Sequence, residues 1–152
     1  MNPERVGNRP RVQHESRSPS QITALVMGVW WTTNGIGAFF LDPNLTTSHV
    51  SGGGDLFGVG ITVNGWHALF HLIPGVLGIV AARHASPALA FTLTAGTLYV
   101  VVGVWGLLAG GSSFGVIAVD SSGDVLHMVE GLITLTGGIV TLATRSRVRG
   151  WE

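Results

Sequence analysis

The sequence predicts an all-α fold: a four-transmembrane-helix bundle made of two parallel-repeated helical hairpins, with both termini cytoplasmic. Three observations predict it. Charged residues make up only 11% of the 152-residue chain, against roughly 25% in a soluble domain. Four apolar runs of about 20 residues each follow one another at 22–41, 63–82, 87–109 and 123–144, and at ~1.5 Å per residue each crosses a hydrocarbon core of ~30 Å. A stretch of the second run also recurs in the fourth.

Residues 1–19 are polar, arginine-rich and without apolar period, so they are expected to form a disordered cytoplasmic tail. The membrane domain then covers 20–144. Backbone groups in lipid must be satisfied within the segment, which makes the runs helices. The first run is longer than a signal-peptide core, and "LDPNL" follows it without a small-x-small cleavage site, so it reads as a retained span. "ARHASP" (Ala82–Pro87) is a tight turn between the second and third spans. The connections Asp42–Thr62 and Gly110–Ser122 are longer and glycine-rich. Residues 145–152 form a short basic tail.

All eight basic residues are arginines, at positions 5, 9, 11, 17, 83, 145, 147 and 149. They fall at the two termini and in the short middle turn, and none lies in the glycine-rich loops. Four spans put those three regions on one side, and positive charge marks the cytoplasmic side. The chain is therefore expected in the cell membrane, with both glycine-rich loops outside.

The recurring stretches are "NGWHALFHLIPG" (Asn64–Gly75) and "DSSGDVLHMVEG" (Asp120–Gly131). His71 falls on His127 and Gly75 on Gly131. Asn64, and Asp120 or Ser122, are good N-caps for the helices that follow. Both copies enter from the same side, so they are parallel repeats about an axis along the membrane normal. The similarity rests on spans two and four and the loops before them; spans one and three show none that convinces. Gly75 and Gly131 lie on stripes with Gly78, Thr134 and Gly138. Such stripes let helices approach closely in lipid, so the histidines beside them should face the bundle. His71 is seven residues past Asn64, hence about 10 Å below the outer surface.

These two stretches resemble the domain-of-unknown-function family four-three-eight-three, over roughly residues 20–144. "VNGWHALFHLIPGVLGI" and "VDSSGDVLHMVEGLITL" carry the resemblance. It implies an integral membrane protein of bacterial type. It implies no activity and no catalytic residue, and the cofactor remains unknown.

Several readings of the polar residues stay open. His67 and His71, four apart on one helix, have a spacing that holds a metal; His127 with Glu130 or Asp124 would complete an N/O set. Such a set favours zinc, copper or iron over magnesium. A haem between His71 and His127 is a narrower version. The plainer reading has each histidine bonded to a backbone carbonyl or loop residue, pinning an outer loop to the bundle. Glu130 is either a proton or ion relay or a neutral or His-paired bridge between helices; a permeation path past it would need an oligomer. Asn34 reads as interhelical glue. Trp66 and Trp105 suit an aromatic belt at the outer boundary, whereas Trp30 and Trp31 fall too deep for one.

Other classes lack residues. Without cysteine there are no disulfides or thiolate ligands. No serine sits on a nucleophile elbow, and "SGGGDLFGVG" lacks the GxxxxGK[ST] pattern, so it reads as a flexible or membrane-lapping loop. No basic face serves nucleic acid. The lipid bilayer is the expected partner, with a homo-oligomer or a second membrane protein as the further one. The sequence thus favours a non-enzymatic structural or partner-binding membrane protein, with metal or haem binding and permeation as alternatives.

Overall fold

A computed structural model describes residues 16–45, 54–56, 61–110 and 115–149. The expected disorder of the tail falls mostly on residues 1–15, outside the described residues, as do Arg5, Arg9 and Arg11. The described residues form four helices, α1 (Pro19–Leu41), α2 (Gly65–Ala81), α3 (Ala85–Ala109) and α4 (Ser121–Arg149). Three of them, α1, α3 and α4, are long and apolar enough to cross a membrane, and α2 is a shorter apolar helix of 17 residues.

Helix α1 starts where the local chemistry lets it. Ser18 is the N-cap, its hydroxyl accepting Gln21 N–H while the Gln21 side chain accepts the Ser18 N–H, and Pro19 occupies the first turn. Proline costs nothing there because its missing N–H would have had no helical partner. Helix α4 continues through Arg149, so the residues expected as a tail from 145 begin inside the helix. The first glycine-rich loop holds a feature that composition hid: β1 (Gly54–Leu56) pairs antiparallel with β2 (Ile61–Val63). The rest of "SGGGDLFGVG" lies outside the described residues.

Helix α1 packs chiefly on α2, and α3 on α4. Both pairs close on glycine. A Cβ at Gly75 would stand 2.5 Å from Thr32 N and 3.0 Å from Gly28 O; one at Gly131 would stand 2.5 Å from Val100 N and 2.8 Å from Gly96 O. No side chain fits either gap, so the backbones meet directly, as small residues allow in lipid. The pairs join through a central cluster of Met27, Trp31, Ala95 and Tyr99. Around the outside, large apolar side chains are open on every helix, including Phe40 at 87% and Leu108 at 83%. Arg17 and Arg83 line one cleft with Leu25, Ile79 and Ala82. That basic end is opposite the hairpin.

Candidate functional site

The site lies at the hairpin end and is set by two helix starts. Asn64 caps α2: its Oδ1 accepts His67 N–H at 2.9 Å, and its Nδ2 donates to Val116 O in the second loop. Asp120 stands before α4: Oδ1 accepts Gly123 N–H at 2.9 Å, and Oδ2 accepts Thr62 N–H from the first loop at 2.6 Å. Each cap therefore also clamps the other half. Ser122, the alternative cap, lies exposed within the first turn of α4, where its backbone N–H is one of those facing the Asp120 carboxylate.

Caps so braced aim His67 and His71 from α2, and His127 from α4, at one point. All three are buried. His71 Nε2 lies 3.1 Å from His67 Nε2 and 3.2 Å from His127 Nε2, and one ring nitrogen from each residue lies within 4.8 Å of the others. His67 Nδ1 donates to Ala118 O at 2.7 Å. His71 Nδ1 faces Tyr99 Oη at 3.4 Å. His127 Nδ1 is buried with no hydrogen-bond partner among the described residues. Phe70 packs edge-on to the His71 and His127 rings, while its outer side lines an apolar groove of about 440 Å³.

The protons in this cluster are countable. Pro74 has no N–H, so Phe70 O, four residues earlier, lacks its helical donor. Tyr99 Oη–H fills that gap at 3.0 Å. The phenol proton being used there, its oxygen is left to accept from His71 Nδ1–H. A neutral imidazole carries one N–H, so His71 Nε2 bears a lone pair. The carbonyl of Ala118 can only accept, so His67 Nε2 bears one too. With that tautomer two lone pairs face each other across 3.1 Å, which a shared cation relieves; with the His71 proton on Nε2 instead, His71 donates to His67 and the pair is neutral.

The remaining sequence candidates lie elsewhere. Glu130 is buried but is not in the tri-histidine group. Its Oε1 accepts Trp30 Nε1–H and its Oε2 accepts Trp31 Nε1–H at 3.0 Å. This accounts for two tryptophans too deep for a membrane belt. Trp31 in turn stacks on Tyr99, centroids 4.0 Å apart and planes 15° from parallel. Asp124 is buried against Gly106 on α3, and its Oδ1 has no hydrogen-bond partner among the described residues. Asn34 is buried, and the same holds for its Oδ1. Tyr99 and the two indoles were not singled out as site residues from sequence; the signal was the depth of Trp30 and Trp31, since an indole N–H inside a membrane needs an acceptor.

Haem does not fit. Trans ligation separates two imidazole nitrogens by about 4 Å, twice a metal–imidazole bond, and places a macrocycle between them. His71 and His127 Nε2 are 3.2 Å apart, and Phe70 and Tyr99 pack on both rings.

The family model described as Domain of unknown function (DUF4383) matches residues 21–140. The chain belongs to this family. The match includes all four helix regions and every residue of the cluster, so the site lies within the family domain. No curated protein and no solved structure matches the chain.

Proposed function

We propose that this DUF4383 protein is a four-span membrane protein that holds a transition-metal ion on His67, His71 and His127 near its outer face. The observation that carries the reading is the convergence of three buried imidazoles, with one ring nitrogen from each of His67, His71 and His127 within 4.8 Å of the others. A metal ion answers it directly. Three imidazoles with one open position form a familiar metal-binding set, and metal–nitrogen bonds of 2.0–2.1 Å give a tetrahedral edge of about 3.3 Å, close to the 3.1 and 3.2 Å here. Imidazole ligands suit zinc, copper and iron. The His67 and His71 planes lie 18° from parallel, so shared ligation turns one ring about its χ2.

Four spans are supported by the open apolar side chains of α2, with Ile73, Leu77 and Val80 all more than half exposed, a surface suited to lipid. Seventeen residues reach the lower end of spanning lengths. The basic end formed by Arg17 and Arg83 supports cytoplasmic termini.

The repeat reading also gains support in the first halves. Gly28 and Gly35 on α1 approach α2 as Gly96 and Gly103 on α3 approach α4, at a constant offset of sixty-eight residues. On this register Trp31 corresponds to Tyr99; on the fifty-six-residue offset of the second halves, which pairs His71 with His127, Pro74 corresponds to Glu130.

The test is elemental analysis of the full chain purified in mild detergent. One metal ion per chain is expected, lost in His71→Ala and in His127→Ala. Folded protein that takes up no metal overturns the reading. It would instead favour a cluster that pins the outer loops, for which the His67–Ala118 bond is the specific support.

A further inference from the structure

Building on the proposed metal site, we infer that Glu130 is its counter-ion and that the site selects a monovalent soft cation, copper(I), over divalent zinc. The argument is one of charge. Both carboxylate oxygens of Glu130 face indole N–H groups of Trp30 and Trp31. Indole nitrogen donates and does not accept. A protonated Glu130 would have no acceptor for its O–H among the described residues. Two donors on two oxygens are the environment of an anion.

An anion buried among helices needs a compensating charge nearby. Of the described arginines, Arg17 and Arg83 line a cleft at the opposite end with Ala82, and Arg145 lies fifteen residues beyond Glu130 on α4. The tri-histidine cluster begins one helical turn away along α4: His127 precedes Glu130 by three residues, a spacing that puts side chains on neighbouring parts of the helix surface. Tyr99 links the two groups, bonded to His71 on one side and stacked on Trp31, a Glu130 donor, on the other.

The cluster itself contributes three neutral ligands and no carboxylate. Adding one positive charge there cancels Glu130. A divalent ion leaves one charge uncompensated away from water. Asp124 is the other buried carboxylate nearby, but its Oδ1 has no hydrogen-bond partner among the described residues, whereas both oxygens of Glu130 face an indole N–H. Imidazole is an accepted ligand of copper as of zinc, so the choice between them here rests on charge: three neutral nitrogens leave the ion's own charge as the one to be balanced by Glu130.

The experiment uses metal-free full chain in detergent, titrated anaerobically with copper(I) against a chromogenic chelator, and separately with zinc(II). Copper(I) is expected to bind one per chain and more tightly than zinc. Glu130→Gln should weaken copper(I) on the order of tenfold, as loss of a unit charge about one helical turn away implies. Asp124→Asn should leave copper(I) binding unchanged. Because the amide nitrogen of Glu130→Gln would face an indole N–H, the same change in a Trp30→Phe background guards against misfolding. Zinc binding as tightly as copper, or Asp124→Asn weakening copper more than Glu130→Gln, overturns the inference while leaving the metal site standing. Uptake of neither ion, with the positive charge supplied by a protonated imidazole, overturns both.

Discussion

In the α1–α2 pair, Pro74 withholds its N–H, Phe70 O is left open, and Tyr99 Oη–H fills it from α3. In the α3–α4 pair, the residue in register with Pro74 is Glu130, and the aromatic in register with Tyr99 is Trp31. Trp31 donates to the Glu130 side chain instead. Both arrangements offer an acceptor from one pair to an aromatic donor of the other. The first uses a gap in a backbone ladder and is neutral; the second uses a carboxylate. The same divergence recurs nearer the hairpin. Ala68 packs with Ala38 in one pair, whereas Asp124 packs on Gly106 in the other. On the proposed repeat, the two pairs thus differ in where polar groups enter, and the polar groups of α4 are what give the cluster its neighbouring charge.

The largest effects should come from the shared frame. Gly75→Leu and Gly131→Leu each force a side chain against backbone atoms of the neighbouring helix. Overpacking costs ~1–3 kcal/mol, sometimes more. Thermal unfolding in detergent should show both variants destabilised to similar extents, with lipid-facing Leu132→Ala nearly unchanged. A loss in only one glycine variant would break the likeness of the two pairs.

Next come the divergent acceptors. Glu130→Leu leaves the fully buried Trp31 N–H without its partner, a loss of ~1–3 kcal/mol. Pro74→Ala returns an N–H to Phe70 O and should change stability by less than about 1 kcal/mol. Chemical unfolding in mixed micelles, followed by tryptophan fluorescence, measures both. Equal losses would mean that the charge on α4 has no special standing.

A smaller effect sharpens the link from Pro74 to the histidines. Tyr99→Phe removes the hydroxyl that faces His71 Nδ1 and caps Phe70 O. Stability should fall by about 1 kcal/mol, and metal affinity by ~10-fold or more, as for other outer partners of metal-bound histidine. Unchanged affinity would separate Tyr99 from the site.

Much of this was legible in the sequence, for definable reasons. His71 and His127 repeat in register because both point into the bundle, where few substitutions are neutral, and His67 follows from helical spacing. The likeness of α1 and α3 was hidden because most of their surface faces outward, where one apolar residue replaces another at little cost. Only the glycines at 28, 35, 96 and 103 carry the register, and glycine is too common here to stand out among 23. The partners of Glu130 were hidden differently. Trp30 and Trp31 precede it by about a hundred residues, and no local spacing connects them. The β1–β2 hairpin was masked by glycine-rich composition.

The last and smallest test concerns the two caps, Asn64 and Asp120. Only Asp120 can titrate. Desolvation acts to raise its pKa, but N–H groups of Gly123 and Thr62 outweigh that and hold the carboxyl below its usual 3.8. A carboxyl depressed in the folded state contributes stability above its unfolded pKa and loses it as pH falls through the folded value. The Asp120 contribution should therefore be full at neutral pH and fade below about pH 4. Asp120→Asn, which keeps a capping oxygen, should cost no more than about 1 kcal/mol at pH 7 and flatten that acid dependence. Asn64→Asp should introduce at α2 the dependence that Asp120 confers at α4. If unfolding midpoints between pH 3 and 7 move identically in wild type and Asp120→Asn, the two caps are equivalent, and the charge difference between the pairs is confined to Glu130 and Asp124.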